Sequence, residues 1–202
     1  MLVERDELTY RPPRRWRFVV ASVLVVAFLV ADQLTKVAAR AALAGGAGVT
    51  VIPGVLSFTY VENTGVSFGL AAGFGPLFSL LALVVVIGCA AYLWRAPLLS
   101  RLEVVGLGML AGGALGNAID RVAFGFVTDF IATDFIDFPV FNVADIGVTV
   151  GVALALIGFA LFSPANADAK RRSKEDRSER LAAREQAGKP RRNKGSRGNG
   201  GR

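Results

Sequence analysis

Four apolar stretches dominate the chain and leave few folds open to it. Phe18 to Ala31 carries no charge, and its helical pattern continues through Asp32-Gln33-Leu34-Thr35-Lys36. Leu77 to Trp94 runs for eighteen residues without a charge. Val104 to Ile119 has Asn117 as its only strongly polar member, and Ile146 to Phe162 is again uncharged. A membrane-spanning helix needs about 20 mostly apolar residues. Each stretch reaches that length with its flanks, the first and third by carrying polar side chains toward the membrane edge. Overall, 53% of residues are hydrophobic and 19% charged, where soluble domains average about 25% charged. The expected fold is an all-α membrane protein with four transmembrane helices.

The charges are segregated along the chain. Residues 1–17 hold five Arg, residues 163–202 hold thirteen Lys and Arg, and five basic residues lie between, against eight acidic ones. This divides the chain into a basic N-terminal arm (1–15), a four-span membrane domain (16–163) and a basic tail (164–202). Arg95 and Arg101 add two charges to the short loop after the second span. Cytoplasmic loops concentrate Lys and Arg, so both termini and the 95–101 loop are expected in the cytoplasm. The loops at roughly 40–75 and 121–145 then face outward. Lys36 and Arg40 stand where a signal peptidase would cut after the first span, so a cleaved leader is not expected there. In the tail, residues 170–187 could form a charged helix and the rest reads as disordered. Basic segments beside a membrane attract anionic lipid. No aromatics interleave the tail's charges, so membrane lipids rather than nucleic acid are the expected partner.

The outward loops have the wrong pattern for helices. Thr50-Val51-Ile52 and Val55 to Val61 are β-branched and aromatic around a Pro53-Gly54 turn, and Phe126 to Ile131 reads similarly. A small antiparallel β-sheet on the extracytoplasmic side is the expectation. Gly108, Gly112 and Gly116 recur at a spacing that lets a neighbouring helix approach closely. Cys89 ends a lipobox-like Val86-Ile87-Gly88-Cys89 string, but its position inside the second span marks a packing residue.

The chain contains no histidine and one cysteine. That excludes Ser-His-Asp triads, Cys-His dyads, His-based zinc sites and internal disulfides. Proton transfer is left to Asp, Glu, Lys, Tyr or a terminus, and neither a metal nor a cofactor is expected. Ionisable residues near a membrane core are costly and usually mark function. Asp32 and Lys36 lie four apart on one helical face, as do Asn117 and Arg121, with Asp120 beside Arg121. An ion pair at a helix end accounts for the first pair, and a structural network for the second. Asn63 sits in an Asn-Thr-Gly string that suits a turn. Asp129 and Asp145 are the sharpest pair. Asp145 falls three residues after Asn142, where a helix cap would place it. The sixteen-residue interval between the acids can return the chain and bring both carboxylates to one mouth. Two carboxylates in one site do not ionise together easily, so one can activate water while the other protonates a leaving amine.

These residues resemble a known family. The set comprises Asp32-Gln33-Leu34-Thr35-Lys36, Val61 to Gly69, Gly112 to Arg121, Val127-Thr128-Asp129-Phe130-Ile131 and Pro139 to Asp145. In this order on a four-span frame they look like lipoprotein signal peptidase (signal peptidase II), a bacterial inner-membrane aspartic protease. The resemblance spans about 16–163. It implies a catalytic dyad of Asp129 and Asp145, with Asp32, Lys36, Asn63, Gly65, Asn117, Arg121 and Asn142 supporting the site or holding substrate. The implied reaction removes the signal peptide of a lipid-modified prolipoprotein immediately before its diacylglyceryl-Cys, and globomycin-type inhibitors are expected to block it. Ser67 departs from the Ala frequent in that family. The alternative is a proton-coupled or ion transporter using intramembrane Asp and Arg residues. A rhomboid-type protease is excluded by the missing His, and a presenilin-type one by the missing Gly-x-Gly-Asp string.

Overall fold

The computed structural model describes residues 12–65, 75–163, 169 and 171–181. Ser67, the N-terminal arm to residue 11 and most of the tail lie outside them. The chain divides into two compact units, Met1–Pro164 and Ala165–Arg202. Within the second, residues 171–181 are helical.

All four apolar stretches form helices long enough to cross a membrane. They are α1 (Arg14–Leu43), α2 (Gly75–Arg95), α3 (Arg101–Phe124) and α4 (Val143–Ile157), the last continuing as a π-helical turn, Gly158–Phe162. Among the described residues, three strands complete the unit: β1 (Val49–Ile52), β2 (Leu56–Asn63) and β3 (Val127–Thr133). They pair antiparallel in the order β1-β2-β3, with Phe58 opposite Ile131 and Val61 opposite Asp129. Phe141 bridges to Ile131 on the free side of β3, which brings the entry to α4 against the strand carrying Asp129.

The third apolar stretch is the structural centre. Over half of α3's most apolar window is buried, 56%, against 11–17% for the other three helices. Val19, Val23, Leu77, Leu80, Leu81, Val84 and Leu156 all stand exposed on the outer helices, a surface that suits lipid and not water.

Glycine lets the helices meet on α3. A methyl placed on Gly106 would fall 2.5 Å from the Gly151 carbonyl and the Ala155 nitrogen of α4. The Gly108, Gly112 and Gly116 face lies along α1, against Ala21, Val25 and Asp32 in turn. Glycine at these positions gives backbone-to-backbone approach, which substitutes for the missing hydrophobic drive between helices in lipid. The ends are capped by sequence. Ser100 and Glu103 form a capping box on α3, and Gly125 closes it at φ 81°.

At the end opposite the sheet, the buried Arg17 guanidinium donates to the carbonyls of Pro12 and Ala96, both at 2.7 Å. Arg14, Arg15, Arg95 and Arg101 stand exposed at that same end. The polar residues of the motifs cluster at the sheet end.

The packing sets a stability test. Gly106→Ala should separate α3 from α4 and lower the thermal midpoint, at a cost of roughly 1–3 kcal/mol for overpacking. Gly88→Ala, where an added methyl meets nothing within 4 Å, should leave the midpoint unchanged or raise it. Equal effects from the two would contradict the glycine seam.

Candidate active site

The candidate site residues Asp32, Lys36, Asn63, Gly65, Asn117, Arg121, Asp129, Asn142 and Asp145 lie in one network at the sheet end. Asp129 sits mid-strand in β3, two residues into it and four before its end at Thr133. Its Oδ2 accepts from Asn63 Nδ2 at 2.9 Å, and its Oδ1 from Asn142 Nδ2 at 2.6 Å. Asn63 ends β2, and its own Oδ1 accepts from the Gly65 N–H at 3.0 Å. The turn reading of Asn-Thr-Gly therefore holds, and the same side chain also serves Asp129.

Asp145 occupies the third position of α4. Asn142 is the N-cap: its Oδ1 accepts from the Asp145 N–H at 3.0 Å, and Asp145 Oδ2 accepts from the Asn142 N–H at 3.1 Å. The remaining oxygen, Oδ1, accepts from Asn117 Nδ2 at 2.8 Å. Asn142 thus touches both acids, through its backbone on one side and its amide on the other.

Chemistry fixes the orientation of both amides. Lys36 can only donate, and its Nζ lies 2.9 Å from Asn117 Oδ1. Asn117 must therefore turn its NH2 toward Asp145. Asn142 Oδ1 is taken by a backbone N–H, so its NH2 faces Asn117 Oδ1, at 3.1 Å, and Asp129. Arg121 is held by the carbonyls of Asn117 and Gly65, at 3.4 and 3.3 Å, and lies over the Phe78 ring.

A cavity of about 410 Å³ opens at this network. Asn63, Asn117, Arg121, Asp129 and Asp145 give it a polar wall, and Phe138, Phe141, Ile146 and Val148 are among its apolar residues. Asp32 and Lys36 do not line it. They sit behind it, fully buried, as an ion pair of 2.9 Å.

Asp120, which the sequence sets beside Arg121 in a structural network, joins them, together with Gln33, Arg40 and Thr128, which spacing alone did not select. Asp120 faces Lys36 at 3.4 Å and Arg40 at 3.8 Å. Gln33 Nε2 reaches both Asp32 and Asp120 at 3.2 Å, and Arg40 donates to Thr128 Oγ1 at 2.7 Å. A signal for part of this existed, since Asp32, Lys36 and Arg40 recur every fourth residue on one face of α1.

Burial pushes the Asp129 carboxyl up to about 6. The amides of Asn63 and Asn142 pull it down, and the charge of Asp145 pushes it further up.

The comparisons with known proteins agree with one another. A family model for signal peptidase (SPase) II matches residues 24–161. The chain belongs to that family. A lipoprotein signal peptidase of Gloeobacter violaceus is 44% identical over 141 residues, covering 70% of this chain and 80% of the relative. One from Lactiplantibacillus plantarum is 39% identical over 136 residues, covering 67% and 91%. Two solved bacterial membrane enzymes share the fold at TM-scores of 0.64 and 0.63, each 32% identical. They cover 69% and 70% of this chain, and 86% and 92% of their own lengths. The signal peptidase II assignment makes the chain a multi-pass membrane protease, and nothing in the comparisons supports the transport alternative.

The buried Asp129 carboxyl gives a pH signature. In the unfolded chain it titrates near 3.8 and in the folded protein near 6, so the folded state binds the extra proton in that window. Stability from this group is full below about pH 4 and is lost as pH rises through about 6, on the order of 2–3 kcal/mol. Thermal unfolding of the wild type against Asp129→Asn across pH 4–7 should show the difference between them changing over that interval. Parallel curves would contradict the burial of a titrating carboxyl there.

Proposed function

We propose that the chain is an aspartic endopeptidase that removes the signal peptide from diacylglyceryl-modified prolipoproteins, cutting immediately before the lipidated Cys. The observation carrying this reading is the pairing of Asp129 and Asp145 through Asn142 at the polar wall of a mostly apolar cavity. Family membership supplies protease activity on prolipoproteins; the assignment of the two acids is proposed from the resemblance of their motifs, and their geometry supports it.

In the proposed reaction the acids divide the labour. Asp145, at a helix N-terminus that suits an anion, takes a proton from a water held between the carboxyls. The water oxygen bonds to the scissile carbonyl carbon. Asp129, whose proton burial helps to retain, delivers it to the leaving amine nitrogen as the C–N bond breaks. Asn63, Asn117 and Asn142 hold the carboxyl oxygens in register. Arg121 lines the same cavity wall, where substrate backbone would lie, and the Gly65 carbonyl holds its guanidinium at 3.3 Å. The apolar side of the cavity, with Phe138, Phe141, Ile146 and Val148, suits the acyl chains and the apolar signal helix. Globomycin-type inhibitors would occupy that same space.

We place the site and the sheet at the extracytoplasmic face of the cell membrane, with both termini in the cytoplasm. The support is the exposed Arg14, Arg15, Arg95 and Arg101 at the opposite end, read with the preference of basic residues for the cytoplasmic side. The boundaries at 15/16 and 163/164 are proposed on the same charge distribution, with anionic membrane lipid as the tail's partner.

Two measurements test the reading. Purified protein should cleave a diacylglyceryl-modified precursor and leave its unmodified twin intact; equal cleavage of both would remove lipid recognition from the account. Single cysteines at Thr50 and Asp137, in a Cys89→Ala background, should react with an impermeant reagent added outside intact cells, and one at Arg95 should not. The reverse pattern would invert the proposed topology.

A further inference from the structure

The network behind the cavity repeats one arrangement twice. Asp32 Oδ1 accepts from the backbone N–H of Ala144 at 2.9 Å, the residue immediately before Asp145. Asp120 Oδ2 accepts from the backbone N–H of Thr128, also at 2.9 Å, the residue immediately before Asp129. The two clamping acids, on α1 and α3, share one cation. Lys36 Nζ lies 2.9 Å from Asp32 and 3.4 Å from Asp120. Its third acceptor is Asn117 Oδ1, which uses all three ammonium donors. Gln33 ties the same acids together a second time. Asp32, Lys36 and Asp120 are all 0% exposed, so substrate touches none of them.

From this geometry we propose that Asp32, Lys36 and Asp120 form a positioning unit that sets the spacing of Asp129 and Asp145. The proposal rests on reading those two carboxyls as the reacting pair. Each clamp fixes the backbone one residue upstream of a reacting acid, and backbone position there decides where the side chain's oxygens fall. Lys36 holds the clamps at a fixed separation, so the cavity carboxyls inherit that separation. The water between them must sit within hydrogen-bond reach of both, and small misplacements of reacting groups are costly in rate. A unit that merely fastened helices would not need this wiring, because buried ion pairs can often be replaced by neutral side chains without loss of stability.

The test uses the full chain in detergent with a diacylglyceryl-modified precursor peptide, reading kcat, KM and thermal unfolding for each variant. Asp32→Asn and Asp120→Asn should each lower kcat at least tenfold with KM within about twofold, because the cavity walls are untouched. The combined variant Asp32→Asn, Lys36→Met, Asp120→Asn leaves no unpaired charge among these three. It should melt higher than Lys36→Met alone, yet keep kcat at least tenfold down. Recovery of wild-type kcat in the neutral combination would overturn the proposal, since charge balance alone would then suffice. Gln33→Leu keeps all the charges at a half-buried position and serves if the others do not fold. It should lower kcat several-fold at unchanged KM, and normal kcat there would also count against the unit. Asp129→Asn and Asp145→Asn separate the two readings. If these cleave normally, the dyad assignment falls. If they are inactive while the clamp variants keep kcat, the positioning unit alone falls.

Discussion

A lysine ammonium taken out of water must satisfy three donors and one charge, and the sheet end of this bundle is arranged around that demand. Lys36 is fully buried and reaches Asp32, Asp120 and Asn117. Removing such a group from water costs several kcal/mol before its partners are counted, so the partners are not optional. Once Lys36 is placed, Asn117 can present only its NH2 to Asp145. The N-cap of α4 orients Asn142 toward Asp129 in the same way. The polarity of the cavity wall follows from one cation and one helix cap.

The bundle makes that arrangement possible by close approach. Gly116 of α3 abuts Asp32, and a methyl there would collide with its carboxylate. Gly113 likewise faces the Ala144 carbonyl, and Gly106 meets Gly151 further along the same seam. The glycine spacing read from the sequence as plain helix packing is that, and at Gly116 it also makes room for a buried acid. The helices carry their apolar surface outward to lipid and their polar side chains inward at one end.

Much of this was legible from residues alone, because the signals are local. Four uncharged stretches declare helices wherever water is absent, and β-branched runs around Pro53-Gly54 declare a hairpin. Asn142 and Asp145 at cap spacing give the start of α4 directly. Convergence of Asp129 with Asp145 followed from loop length, and the Phe141–Ile131 bridge realises it. The partners of Asp120, and the parts played by Gln33, Arg40 and Thr128, were not legible for a physical reason. Their roles depend on α1 lying against α3 and on β3 folding back over Asp120, and no spacing along the chain encodes a contact between residues 88 positions apart, such as Arg40 with Thr128.

In the proposed reaction two carboxyls, Asp129 and Asp145, perform the hydrolysis as one unit. Single-turnover cleavage of a lipidated precursor by Asp129→Asn, Asp145→Asn and the double variant tests it most directly, with precursor binding measured in parallel. Each single variant should lose at least about 10³ in rate, the double variant little more because members of one catalytic unit fail together, and binding should stay close to wild type. Near-normal cleavage by either single variant, or losses that multiply in the double variant, would contradict it.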